Sequence, residues 1–154
     1  MVINQNWDRW IFASASIHFK DRILPTYPYA IEGQHNITQG SFIEYRSDGP
    51  KWIQMSRNCY RGIVTIDLLI RATQDSKDFH KIYRMLGLVE SSFINCIPVR
   101  RYGNPIDDPI NDSSLLSNLI RDSDITASNF GQLDPAIPII EATVQANYMI
   151  EISL

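Results

Sequence analysis

Three histidines, two cysteines and a group of aspartates are the side chains of this sequence best suited to chemistry, and their spacing argues against most of it. His18, His35 and His80 have no partner at metal-ligand spacing. His18 stands beside Phe19 in an apolar helical stretch and reads as a structural histidine, His80 precedes Lys81 and reads as a surface residue, and His35 falls in a turn region. Cys59 with a distant histidine would be the raw material of a nucleophile and base, but a cysteine beside an apolar strand is more simply a packed small side chain. Cys59 and Cys96 form no CxxC pattern, so two free, partly buried thiols are expected.

Asp107, Asp108 and Asp112 cluster as cation-binding carboxylates would. The glycine and terminal glutamate of a calcium loop are absent, and Pro105 and Pro109 suit a stiff solvated loop instead. Glycines occur singly and build no phosphate cradle. Tyr27, Tyr29, Tyr45 and Trp52 have faces on which bases could stack. Arg100-Arg101 is the one adjacent basic pair, however, and no basic groove accompanies the aromatics, which read as core or protein interface. The expectation is no catalytic residue, no cofactor, no metal, and a protein that is not an enzyme.

The elements that would hold these residues can be read from periodicity. Asn6 to Ile23 has helical spacing at Trp7, Trp10, Ile11 and Ile17, with Asn6 as cap, Asp8 in the first turn, and Pro25 and Pro28 beyond its end. Phe42–Arg46 and Trp52–Met55 read as two strands of a hairpin reversing at Asp48-Gly49-Pro50. Tyr60 to Ala72 alternates, with Val64, Ile66, Leu68 and Ile70 on a core face and Thr65, Asp67, Leu69 and Arg71 on a half-polar one. A second helix capped by Asp75 or Ser76 carries Phe79, Ile82, Tyr83, Leu86 and Phe93 as its apolar stripe.

Ile97–Tyr102 is a short strand that Pro98 confines to an edge or to its own first residues, and Gly103 to Ser114 is a loop. Leu115–Ile120 fits a strand or a helical turn equally, and from Ile140 to Ser153 strict alternation marks a long half-buried strand. The fold class is α+β: a single domain over 1–154, with a largely antiparallel β-sheet packed by two main helices.

At 154 residues the chain suits one domain, and its 44% hydrophobic and 20% charged content is that of a folded globular protein. A net charge of -3 proposes no polyanionic partner, and no apolar run reaches membrane-spanning length. Met1 to Trp10 lacks the basic-then-apolar pattern of a secretion signal.

The order of elements resembles that of bacteriophage tail terminator proteins of the lambda type, over nearly the whole chain. The strongest part is Tyr60-Arg61-Gly62-Ile63-Val64-Thr65-Ile66-Asp67-Leu68-Leu69-Ile70 followed by a helix from Lys77 to Phe93; in that family an Arg-Gly step commonly opens a core strand and a helix ending in Phe packs back on the sheet. The helix Asn6 to Ile23, the Asp48-Gly49-Pro50 turn with Trp52, and the terminal Glu141–Tyr148 strand support it, while the long Asn104 to Ser113 loop departs from the simplest members.

The resemblance implies a homo-hexameric ring that caps the tail tube, ends its polymerisation and offers a docking face to the head. Its partners would be further copies of the chain, the tail-tube protein and a head-tail connector or stopper protein, with the sheath protein as a further candidate. It would be made in the host bacterial cytoplasm and reside in the virion tail or neck, with no membrane and no specific nucleic acid among its partners. Candidate interface residues are Trp52, Arg57 and Asn58 near the hairpin, and Asp107, Asp108 and Asn111 in the long loop. The alternatives are a head-completion, stopper or other neck connector protein; a small cytoplasmic enzyme using Cys59 or His18; and a ligand-binding module.

Overall fold

The computed structural model describes residues 6–32, 40–73, 80–101, 114–134 and 137–153. These form helices α1 (Asn6–Ile23) and α2 (Lys81–Ser92). The strands are β1 (Tyr29–Ile31), β2 (Phe42–Ser56), β3 (Cys59–Thr73), β4 (Cys96–Arg100), β5 (Leu115–Arg121), β6 (Thr126–Asp134) and β7 (Ile137–Ser153). One sheet runs β1-β2-β3-β7-β5-β4, with β6 also on β7, and every pairing except β1 with β2 is antiparallel. The fold is thus the α+β domain expected, with both helices on one face of a largely antiparallel sheet.

The frame is the pair β3 and β7, in register from Cys59 opposite Ser153 to Thr73 opposite Ile139. Alternation along both strands sends Val64, Ile66, Leu68 and Ile70, with Ala142, Val144, Ala146, Tyr148, Ile150 and Ile152, to the helix side, where all are buried. Burying such apolar side chains is worth about 25 cal/mol per Å², so this layer is a main contributor to the stability of the fold.

α1 occupies the residues expected of it, but more of it is buried than a single stripe. Ala13, Ser14, Ala15 and Ser16 are all buried beside Trp10, Ile11, Phe19 and Ile23. Small side chains let neighbouring backbone approach: Ser14 Oγ accepts the Arg100 amide of β4 at 3.0 Å, and the Ser16 carbonyl accepts the Tyr29 hydroxyl at 2.8 Å. Polar groups buried in this way must be partnered, and these are.

α2 presents Ile82, Met85, Val89 and Ser92 to the sheet, with Phe93 buried just past its end. The expected stripe is corrected at Tyr83, which is 61% exposed; the face is turned by one position, to Met85 and Val89, as spacing of three and four residues from Ile82 and Leu86 requires. Asp75, Ser76 and Phe79 lie outside the described residues, so the capping expectation does too.

A second correction concerns Asp48-Gly49-Pro50. The chain does not reverse there: β2 is one strand of 15 residues, and a bulge between Asp48 and Lys51 absorbs the turn-forming residues. Gly49 has φ 106, and a Cβ on it would lie 2.5 Å from the Ile63 carbonyl oxygen of β3, so glycine serves the bulge. The actual hairpin turn joins Ser56 to Cys59. Leu115–Arg121 resolves as strand, and β4 with Pro98 lies at the sheet edge as expected. The Gly103 to Ser114 loop falls almost wholly outside the described residues.

Candidate assembly surface

The strands that bury one face against the helices carry a second face on which no described helix packs. Register arranges its side chains in ranks across the sheet. At the hairpin end Ile53, Arg61 and Glu151 lie side by side; the next rank is Lys51, Ile63, Met149, Ile120 and Cys96; then come Asp48, Thr65 and Asn147; then Arg46, Asp67 and Gln145. The second rank is apolar through its middle, and Ile120 and Ile53 are each 50% exposed.

Charges on this face pair within it. Arg61 donates to Glu151 at 2.7 Å, Arg71 to Glu141, Arg46 to Glu44 at 3.1 Å, and Lys51 lies 3.3 Å from Asp48. Thr65 Oγ1 donates to Asn147 at 2.8 Å. Arg61 with Glu151, Arg71 with Glu141 and Thr65 with Asn147 are directly opposite across β3 and β7, and such pairs each contribute a few tenths of a kcal/mol to about 1 kcal/mol, whereas the Arg46 and Lys51 pairs lie within β2. Asp67 is the exception: one of its carboxylate oxygens is buried with no hydrogen bond, and burial pushes the carboxyl above its ordinary range against the opposing pull of Arg46. At the far end Phe42, Glu44 and Leu69 are buried, with Arg71 over the Phe42 ring at 5.3 Å. The accessible part of the face is therefore the half nearer the β2–β3 hairpin.

Trp52 is placed on β2 and not in a loop. It is half-buried on the helix side, where its indole donates to Asp8 of α1 at 2.9 Å and its ring lies over Gly62. A Cβ at Gly62 would sit 2.8 Å from that ring, which explains the Arg61-Gly62 step in physical terms. Arg57 and Asn58 are exposed at the hairpin turn beside Met55, itself 50% exposed. Asp107, Asp108 and Asn111 lie outside the described residues, as do His35 and Asp112. The structure brings Trp52, Arg57 and Asn58 to one end of the molecule; Ile53, Ile63, Ile120 and Met149 were the residues that sequence reasoning passed over. The alternation of β3 and β7 carried the signal for two of them, Ile63 and Met149, since a residue flanked by core positions along its own strand faces outward.

His18 packs edge-on against Phe19, and its Nε2 donates to the Ser92 carbonyl at 2.8 Å, tying α1 to the end of α2. Burial holds its pKa below the ordinary value, partly offset by that hydrogen bond. Tyr148 donates to the Ile94 carbonyl at 2.7 Å from within the core, and burial pushes its phenol up to about 12. His80 is exposed. Cys59 is half-buried and free; Cys96 is free and exposed, which corrects the expectation that both thiols are partly buried. Two shallow depressions, one by Lys20, Asp21, Leu24 and Pro25 and one by Ser123, Asp124, Thr126 and Gln145, contain neither His18 nor Cys59. Among the described residues no three His, Cys, Asp or Glu side chains gather as metal ligands, and no helix is long and apolar enough to cross a membrane.

No family model matches the chain, and no curated protein matches it. Among the solved structures that match is one similar over 99% of this chain and 98% of its own, at 11% identity and a TM-score of 0.49. A likeness at that level carries no argument about function.

Proposed function

We propose that the chain is a structural virion protein of a phage tail or neck, which assembles as a ring on the end of the tail tube, stops its growth and offers the opposite face to the head connector. The observation that carries this reading is the second face of the sheet: a layer of paired charges around an apolar rank, on strands of 15 and 17 residues that a helix layer backs on the other face. Such a surface suits contact with other protein, where charge is depleted at the centre and most charged groups, Asp67 apart, are already partnered. The resemblance in element order to lambda-type tail terminators gives the ring and the tube as the specific context.

The test is electron microscopy of particles made without this protein. Tails of uncontrolled length are the expected result. Normal-length tails detached from heads would replace the terminator reading with that of a connector, and normal infectious particles would refute a role in the tail.

A further inference from the structure

One rank of the open face carries more acid than base. Across the strands it reads Glu32, just past β1, then Arg46 of β2, Asp67 of β3, Gln145 of β7 and Thr126 of β6. Glu44 stands two residues before Arg46 on the same face and is 2% exposed, so three carboxyl groups share one guanidinium. That guanidinium belongs to the residue directly opposite Asp67, yet it donates from Nε and Nη2 to Glu44 Oε2 at 3.3 and 3.1 Å. Oδ1 of Asp67 is buried and accepts no hydrogen bond.

We propose that Asp67 and Arg46 form a proton-operated switch: while Asp67 carries a proton the Arg46 guanidinium stays on Glu44, and when that proton leaves to solvent the guanidinium turns to Asp67.

No other described group facing Asp67 can take the part of Arg46. From β7 it meets Thr143, Gln145 and Asn147, along β3 Thr65 and Leu69, and in its rank on β6 Thr126, all uncharged. The further charges are engaged: Asp48 of β2 lies 3.3 Å from Lys51, and Arg71, beyond Leu69 on β3, is bonded to Glu141. A carboxyl whose buried oxygen lacks a donor favours its neutral form. Burial is the largest cause of the raised Asp67 pKa, Arg46 opposes it, and Glu32 and Glu44 add to it. Directly opposite residues of antiparallel strands lie about 5 Å apart at Cα, so rotation of the Arg46 side chain suffices and the backbone need not move.

Because the folded chain holds this proton more tightly than the unfolded one, the contribution to stability is whole below the unfolded value of about 3.9. It is lost as the pH rises through the folded value. His18 acts with the opposite sign, so the two are separated by comparing wild type and variant at the same pH. The switch does not rest on the role proposed in the tail.

The experiment is NMR of the labelled, unmodified protein, following the Asp67 carboxyl carbon and the Arg46 Nε–H from pH 8 down to pH 4. The expected result is an Asp67 midpoint above that of an ordinary aspartate, with the Arg46 signal moving at the same midpoint. An ordinary or lower midpoint would overturn the proposal, and so would an Arg46 signal that stays still while Asp67 titrates. Asp67→Asn copies the protonated form and should melt about 3 °C above wild type at pH 7, a lead that shrinks by at least half at pH 4. A lead that does not change with pH, or no lead at all, would count the asparagine as a structural change only and contradict the switch. Should the variant fail to fold, the titration of the unmodified protein decides alone.

Discussion

The two faces of one sheet, built from alternate residues of the same strands, are held together by different physics. On the covered face Val64, Ile66, Leu68 and Ile70 meet α1 and α2, and stability comes from water excluded by large apolar side chains. On the open face Arg61, Thr65, Asp67 and Arg71 alternate with them, and what holds is a set of short cross-strand bonds that water and salt can weaken. The covered face therefore makes the fold and tolerates little change, whereas the open face is free to be specified by what it must touch.

Neighbouring positions give the sharpest way to break that contrast. Val64→Asp places an unpaired carboxylate in the core beside Tyr148 and should cost on the order of 4 kcal/mol or more, which would be seen as loss of soluble folded protein by circular dichroism. Thr65→Asp, one residue on, should leave a cooperatively folding protein with a loss of about 1 kcal/mol in urea denaturation. Equal effects at the two sites would mean the faces are not distinct.

Gly62→Ala comes next in size. Its new methyl would press on the Trp52 ring and on Ile150, and overpacking of this kind costs about 1–3 kcal/mol; tryptophan fluorescence should report the displaced indole. The helix side is also the acid-sensitive side. His18 is neutral when folded because burial lowers its pKa, whereas the unfolded chain takes up a proton near pH 6.5. Its contribution is complete above that value and is lost as the pH falls through the folded pKa. Melting temperature should accordingly fall between pH 7 and pH 5, and fall less in His18→Gln, which keeps an N–H donor for Ser92. The smallest effects belong to the open face: Arg61→Ala should cost under about 1 kcal/mol and Ile120→Ser about 0.5 kcal/mol or less.

Much of the covered face was legible in the sequence because it obeys one period. α1 has the bounds that its cap, its spacing and the following prolines imply, and β3 and β7 follow from alternation alone. The exceptions share a cause, which is that their structure is imposed by partners. β6, Thr126–Asp134, has no alternating pattern and is a strand because the edge of β7 accepts it; β1 is three residues added parallel to β2. Asp48-Gly49-Pro50 has the chemistry of a reversal, yet pairing to β3 on both sides makes it a bulge. The candidate surface was harder still. Ile63, Met149 and Ile120 become one rank only through the register of three strands distant in sequence, and no local pattern encodes that.

Native mass spectrometry of the purified chain, alone and mixed with tail-tube protein, reaches the proposed role most directly. Assemblies of at least six copies of the 17.7 kDa chain, on their own or seated on tube subunits, are the predicted result. A chain that stays at one or two copies under both conditions would contradict it.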